Sequence, residues 1–333
     1  MRIAFFDTQS FERPFYEAAN AGHEHTITFF DTPLTESSAS LARGHDAVCV
    51  FVNDRADAAA IGEFRELGVK VIATRSAGFN HIDLAAAVAR GIAVVRVPEY
   101  SPHAVAEHAM CLILALNRKI HRAYVRVREL NFSLDGLMGF DLFGATVGVI
   151  GTGRIGRAMI QILHGFGSKI LVHDPQPDNN LVERFGVRYV QLSELYASSE
   201  VITLHCPLLP ETKHLINAES LAQMKPEVIL INTGRGALID TKALITALKA
   251  GRIGGAGLDV YEEEEGVFFH DLSKRMLQDD VLARLLTFPN VLITSHQGFL
   301  TREALRNIAS TTLANLSSFE RGETLVNQVR PSV

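Results

Sequence analysis

Short apolar runs of strand length recur along this chain, and the stretches between them carry the three-and-four spacing of amphipathic helices. Ile3 to Phe6, Thr26 to Phe30, Ala47 to Val52, Val71 to Thr74 and Ile92 to Val97 read as strands, with a helix over Ala58 to Leu67 between two of them. Runs this uniformly apolar suit strands buried on both faces. The strand–helix–strand rhythm implies parallel pairing, because each crossover returns the chain to the same end of the sheet. The rhythm restarts with Ala145 to Ile150, Ile170 to Val172, Val201 to Leu204, Val228 to Ile231, Ala256 to Leu258 and Val291 to Thr294. The expected fold is therefore α/β, with two doubly wound parallel sheets, the second of six strands and suited to a nucleotide.

Between the two series, Ser101-Pro102 marks a helix start: a hydroxyl able to cap free N–H groups, then Pro where a missing N–H costs nothing. Apolar positions recur from Val105 through Leu112 and Leu116 toward Val125, so one long helix is expected here, bridging the two domains. A last amphipathic helix runs from Thr301 to Arg321-Gly322, where Gly suits the left-handed closing residue. Its expected return to the first domain makes that domain discontinuous, residues 1–100 plus 301–333 around 101–300.

A length of 333 residues fits two such domains, and 47% apolar residues can fill their cores without disulfide or metal staples. A net charge of −5 excludes a polybasic nucleic-acid binder. The three cysteines, Cys49, Cys111 and Cys206, form no C-x-x-C pair, so neither a zinc site nor any other metal site is expected, and a reducing cytoplasm fits. The first residues lack the apolar centre of a signal peptide, and the longest apolar stretch, Ala109 to Leu116, is too short to span a membrane. His23-Glu24-His25 is too close-set for a helical metal pair and reads as surface loop.

Val147-Gly148-Val149-Ile150-Gly151-Thr152-Gly153-Arg154-Ile155-Gly156 places G-x-G-x-x-G between a strand and a helix. Gly151 permits the tight turn, Gly153 lets a pyrophosphate approach the backbone, and Gly156 allows helix to pack on strand. The next strand ends in Asp174, eighteen positions after Gly156, where a carboxylate can accept from the adenosine ribose diol. That carboxylate would repel a 2′-phosphate, and Pro175-Gln176-Pro177 offers no cation to hold one, so NAD is expected rather than NADP. Arg154 can pair with the pyrophosphate or sit in solvent.

Ligands of open parallel sheets lie beyond the carboxyl ends of the strands. There the chain places Asn232-Thr233-Gly234-Arg235-Gly236, then Asp259-Val260-Tyr261 followed by Glu262 to Glu265, then Ser295-His296-Gln297. A guanidinium, carboxylates and an imidazole at one edge suit hydride transfer to a 2-oxo acid. Arg235 can hold the substrate carboxylate by two parallel hydrogen bonds, and His296 can give and retake the proton on the oxo oxygen. A carboxylate beside His296 would favour its charged form; Glu264 is a candidate, although spacing alone leaves it level with its neighbours in what can be a solvated acidic run. Asp259 can accept from the nicotinamide carboxamide. His205-Cys206-Pro207 reads as a wall beside the cofactor, since Cys206 has no activating partner in sequence.

With these residues in view, the chain resembles the D-isomer-specific 2-hydroxyacid dehydrogenases, nearest their bacterial fermentative D-lactate branch. The likeness runs through Arg75-Ser76-Ala77-Gly78-Phe79-Asn80-His81-Ile82-Asp83, Arg96-Val97-Pro98-Glu99-Tyr100-Ser101-Pro102, Val105-Ala106-Glu107-His108, the Gly151 to Gly156 loop, Leu204 to Leu208, Asn232 to Asp240, Gly257 to Glu262 and Ser295 to Thr301. The resemblance implies a flavodoxin-like substrate domain, a Rossmann NAD domain and a cleft between them. It implies Arg235, Glu264 and His296 as the catalytic set, choosing Glu264 by its place five residues after Asp259. It further implies cofactor contacts from Gly151, Gly153, Arg154, Ile155, Gly156, Asp174, Cys206, Pro207, Thr233 and Asp259. The backbone of Ala77 and Gly78 would help hold the substrate carboxylate, with Tyr100 and Phe299 as pocket walls. One departure is Gly234, where the family's serine is missing before the arginine, which can loosen the turn that carries Arg235.

The resulting expectation is NADH-dependent reduction of pyruvate to D-lactate by a homo-oligomer, a dimer through the nucleotide domains or a tetramer, acting on a small molecule with neither nucleic acid nor membrane as partner. A D-2-hydroxyacid dehydrogenase for hydroxypyruvate, glyoxylate or a branched acid is the nearest alternative. An NAD-sensing corepressor is a remote one, because no added interaction segment follows the return helix.

Overall fold

The computed structural model describes residues 1–264 and 266–331; Glu265 of the acidic run lies outside them. The chain divides into two compact units, Met1–Ser101 with Phe299–Val333, and Pro102–Gly298.

The first unit is built on strands β1 (Arg2–Phe5), β2 (Thr26–Phe29), β3 (Ala47–Val50), β4 (Val71–Thr74) and β5 (Ala93–Val95). All pair in parallel in the order β2-β1-β3-β4-β5. Every residue of β3 and β4 is buried, which is why their sequences run apolar without alternation. One face of the sheet packs against the helix Arg302–Glu320, whose Ile308, Leu313 and Leu316 join Ile3, Phe5, Ala47 and Val71 in one core. Each such large side chain contributes about 1.5–3 kcal/mol by leaving water. Thr301 caps that helix by accepting from the Ala304 N–H, and Gly322 closes it at φ 69°.

The same helix corrects the reading of His23 and His25. His25 is 5% exposed, stacks on His23 with ring centres 5.8 Å apart, and both rings bond to Ser317 Oγ, at 2.9 and 2.8 Å. The pair anchors the returning helix and is not a free surface loop.

At the carboxyl ends of β1, β3 and β4 sits Arg75, 2% exposed. It grips Glu12 through Nε and Nη2 at 3.1 and 3.0 Å, donates to the carbonyls of Phe6 and Asp7, and lies 4.2 Å above the Phe5 ring. Burial pushes the Glu12 carboxyl up against the pull of Arg75. Removing one partner of so buried a pair leaves an uncompensated charge. Arg75 thus locks the start of the loop Ser76–Gly78.

The second unit carries seven parallel strands: β6 (Thr146–Ile150), β7 (Lys169–His173), β8 (Arg188–Tyr189), β9 (Val201–Leu204), β10 (Ile229–Asn232), β11 (Gly255–Leu258) and β12 (Val291–Ile293). Their order, β12-β11-β10-β9-β6-β7-β8, reverses direction between β6 and β9, the switch point at which dinucleotides bind. The short β8 gives no strand signal in sequence, because two residues cannot show a period. Apolar cores fill both faces of the sheet.

The long helix expected after Pro102 is two helices, Pro102–Asn117 and Ile120–Arg128, broken at Lys119 with φ 50°. The segment 138–140 crosses the end of the first. A Cβ on Gly139 would lie 2.5 Å from the Asn117 carbonyl oxygen, and the Asn117 side chain bonds both the N–H and the carbonyl of Phe140. The first helix belongs to the second unit, packing there against β10, β11 and the helix Arg154–Gly165. Among the described residues no helix is long and apolar enough to cross a membrane.

Candidate active site

One row of residues defines the site edge of the second unit. Parallel register pairs His173 with Ile150, Ile150 with Leu204, Leu204 with Asn232, Asn232 with Leu258 and Leu258 with Ile293. The next residues therefore leave neighbouring strands at one level, about 4.8 Å apart. They are Asp174, Gly151, His205, Thr233, Asp259 and Thr294.

The glycine turn is sterically obligatory. Gly151 has φ 94°, and a Cβ there would fall 2.6 Å from the Cys206 nitrogen; one on Gly156 would lie 2.0 Å from the Gly151 carbonyl oxygen. Gly153 instead faces open space and caps the helix Arg154–Gly165 with no side-chain bond. That leaves first-turn N–H groups and the positive helix end for an anion. Arg154 opens the helix, and Ile155 packs on the core beneath it.

Asp174 accepts from the backbone N–H of Thr152 at 2.7 Å and Gln176 at 2.9 Å. Burial raises its carboxyl, but these bonds outweigh burial and hold it below the usual range, so it stays ionised. The neighbouring cation Arg157 is taken by Asp178 and the Thr152 carbonyl. The corner suits a ribose diol and disfavours an additional phosphate. Thr233 Oγ1, at the end of β10, is buried with no partner among the described residues, as a hydroxyl awaiting a ligand would be. These residues fit a bound NAD.

Cys206 is half-buried beside the turn, and burial pushes its thiol up to about 11, which removes it as a nucleophile. Pro207 follows, its carbonyl accepting from Thr212 Oγ1 at 2.6 Å. Desolvation lowers His205 to about 4, keeping that ring neutral.

Arg235 stands on a braced turn. Asn232, 1% exposed, accepts from the Gly234 N–H at 3.0 Å and donates to the Arg235 carbonyl at 2.8 Å, so the turn missing its serine is held from beneath. The sequence reading set Asn232 at the strand end without a role, although an Asn bonding the N–H two residues on is a local turn signal. The Arg235 guanidinium spends one donor on the Gly234 carbonyl and pairs with no carboxylate among the described residues. Gly236 lets this turn press on the neighbouring one: a Cβ there would lie 2.1 Å from both the carbonyl carbon and oxygen of Tyr261.

His296 Nδ1 lies 2.9 Å from Glu264 Oε1. An ionised carboxylate only accepts, so Nδ1 carries the proton of this bond and Nε2 is left for another partner. Glu264 is positioned in turn by the Tyr261 N–H, 3.2 Å from Oε2. Its neighbour Glu262 faces elsewhere, bonded to His214 at 2.6 Å and Thr241 Oγ1 at 2.9 Å, and Glu263 is exposed. Within the described part of the acidic run, geometry separates the residue that spacing could not.

His296 has φ 51°, left-handed backbone uncommon for a residue with a Cβ. Asp259 holds it there: its carbonyl accepts from the His296 N–H at 2.7 Å, and its carboxylate takes the N–H groups of Gln297 and Gly298, each at 2.8 Å, and Thr294 Oγ1 at 2.5 Å. His108 adds its Nε2 3.3 Å from the same carboxylate. Burial raises Asp259, yet the bonds from His108 and Thr294 outweigh it and the carboxyl lies low. Most of its acceptor capacity is thereby used to shape the histidine loop.

The remaining expected residues fall on the first unit. Ala77 and Gly78 follow β4, and the rings of Tyr100 and Phe299 meet edge to face with centres 6.2 Å apart.

Residues 110–298 match the family model described as D-isomer specific 2-hydroxyacid dehydrogenase, NAD binding domain. A 2-hydroxyacid dehydrogenase homolog of Haemophilus influenzae is 53% identical over the full length of both chains. The D-lactate dehydrogenase of Escherichia coli is 51% identical, over 99% of this chain and 100% of that one. The solved apo structure of D-lactate dehydrogenase from Escherichia coli matches with a TM-score of 0.91 at 49% identity, covering 99% of this chain and 100% of that one. Sequence, strand order and dinucleotide turn agree: the chain belongs to the D-isomer-specific 2-hydroxyacid dehydrogenases.

Proposed function

We propose that this chain reduces pyruvate to D-lactate with NADH, reversibly, in the cytoplasm. The observation that carries the reading is the His296–Glu264 pair at 2.9 Å, on the strand row that also bears Arg235 and the glycine turn. In this reading the second unit holds the cofactor. The turn Gly151, Gly153, Arg154, Ile155 and Gly156 takes the pyrophosphate, Asp174 the ribose, and Cys206, Pro207, Thr233 and Asp259 the nicotinamide end. NADH, when bound, supplies the hydride.

The chain's own side chains do the rest. Arg235 clamps the substrate carboxylate with its planar fork, fixing the oxo carbon in place. Ala77 and Gly78 on the first unit add backbone N–H donors, and Tyr100 and Phe299 bound a small apolar pocket. His296 Nε2 gives its proton to the oxo oxygen in reduction, and the neutral ring takes it back in oxidation. Glu264 keeps Nδ1–H fixed throughout and stabilises the imidazolium while it carries charge.

Steady-state NADH oxidation with pyruvate, glyoxylate, hydroxypyruvate and branched 2-oxo acids tests this. Pyruvate is expected to show the highest kcat/KM. Fast turnover of another acid beside poor turnover of pyruvate replaces the substrate, and NADH binding with turnover of none points to a sensor instead.

The exposed apolar side chains of the segment 120–143, among them Tyr124, Leu130, Phe132, Leu134, Met138 and Phe143, support self-association through the second unit. Sedimentation equilibrium should return a multiple of the 36.5 kDa chain mass; a monomer at micromolar concentration would refute it.

A further inference from the structure

The loop Ser76–Gly78 has its two last carbonyls each held by a side-chain donor. Arg96 Nη1 donates to the Ala77 carbonyl at 3.0 Å, with the guanidinium 5.3 Å above the Phe79 ring, and Ser76 Oγ donates to the Gly78 carbonyl at 2.6 Å. A trans peptide is planar, with its N–H opposite its C=O. Fixing the Ala77 oxygen on Arg96 therefore points the Gly78 N–H directly away from Arg96. Neither the Ala77 nor the Gly78 N–H has a partner among the described residues.

Arg96 is itself held. Its N–H donates to the Asn327 carbonyl at 3.1 Å, its carbonyl accepts from Asn315 Nδ2 at 2.9 Å, and Asn327 Nδ2 closes the ring on Asn315 Oδ1 at 2.9 Å. The next residue, Val97, donates to the Ser76 carbonyl at 3.2 Å. Residues of the returning C-terminal segment thus hold the Arg96 backbone, and its guanidinium, lying over Phe79, holds one peptide plane.

We infer that Arg96 is a positioning residue for substrate, orienting the Ala77–Gly78 peptide so that its one N–H, that of Gly78, receives the carboxylate of the 2-oxo acid. Arg96 does not touch the substrate in this account. The inference rests on the proposed 2-oxo acid chemistry and assigns a residue to which that proposal gives no part. It also explains why Arg rather than Lys stands there. A guanidinium can stack on Phe79 while one nitrogen reaches the carbonyl, and an ammonium on a stem one atom shorter cannot do both.

The test uses Arg96→Met and Arg96→Lys in the full-length chain, with KM and kcat for pyruvate, the dissociation constant of NADH and that of oxamate in the NADH complex. Losing a charge-assisted bond and the orientation it imposes should raise KM and the oxamate constant by roughly ten- to a hundredfold in Arg96→Met. NADH affinity should stay within about twofold, because the cofactor residues lie on the other unit. Arg96→Lys should remain several-fold impaired. Unchanged KM in Arg96→Met, wild-type KM in Arg96→Lys (charge alone sufficing), or a parallel loss of NADH affinity would each overturn the inference. If Arg96→Met fails to fold, Arg96→Lys is judged on the same split. If the wild-type chain prefers another 2-oxo acid, the split is read with that acid, which carries the same carboxylate, so the two proposals fail separately.

Discussion

Arg235→Lys is expected to lower kcat/KM for the 2-oxo acid by about two orders of magnitude, through both a higher KM and a lower kcat. The loss of one charge-assisted hydrogen bond of the fork is worth about 1.5–3 kcal/mol, or roughly tenfold to just over a hundredfold, and misorientation of the carbonyl adds to it. The point charge survives in lysine, but the two parallel donors do not. The turn should hold, because Asn232 braces it by backbone contacts that the substitution leaves in place. NADH titration by fluorescence should be close to wild type, and wild-type pyruvate kinetics would remove Arg235 from the carboxylate.

Gly236→Ala should be as damaging although alanine adds one methyl group and no charge. That methyl would stand 2.1 Å from the Tyr261 carbonyl carbon and oxygen, and 2.4 Å from the Glu262 nitrogen, all backbone. Either turn must retreat. Arg235 lies one residue before the glycine, and Tyr261 donates to Glu264, which bonds His296, so any retreat moves one arm of the site against the other. A displacement of about 1 Å in such a constellation costs on the order of a hundredfold in turnover. Thermal unfolding together with kcat would separate a moved site from a lost fold. Near-normal kcat would show that the two turns are not coupled. Alanine at Gly234 meets nothing nearer than 3.4 Å, which makes the contrast specific to position 236.

Much of the fold is legible in the chain because parallel strands buried on both faces must be apolar throughout, as β3 and β4 are. What periodicity could not supply was set by tertiary contact. The two residues of β8 are too few to show a pattern. The break at Lys119 falls where the segment at Gly139 crosses the helix end, a contact between residues about twenty apart. The same holds at the site. The glycine turn and Asp174 are written as local motifs. The preference of His296 for Glu264 over Glu262 depends instead on where His214 and Thr241 lie, and both come from other elements. Gly236, His108 and Thr294 act through neighbours distant in sequence, and no local pattern marks them.

The return of the helix Arg302–Glu320 to the first unit also shapes how the protein is made. During translation, residues 1–101 leave the ribosome with the face of β1, β3 and β4 that receives Ile308, Leu313 and Leu316 still bare. About 200 residues of the second unit must be synthesised before the covering helix appears, which at ribosomal rates is roughly 10–40 s. Throughout that interval the apolar face of the N-terminal sheet lacks its covering helix, whereas the later-made unit is continuous in sequence.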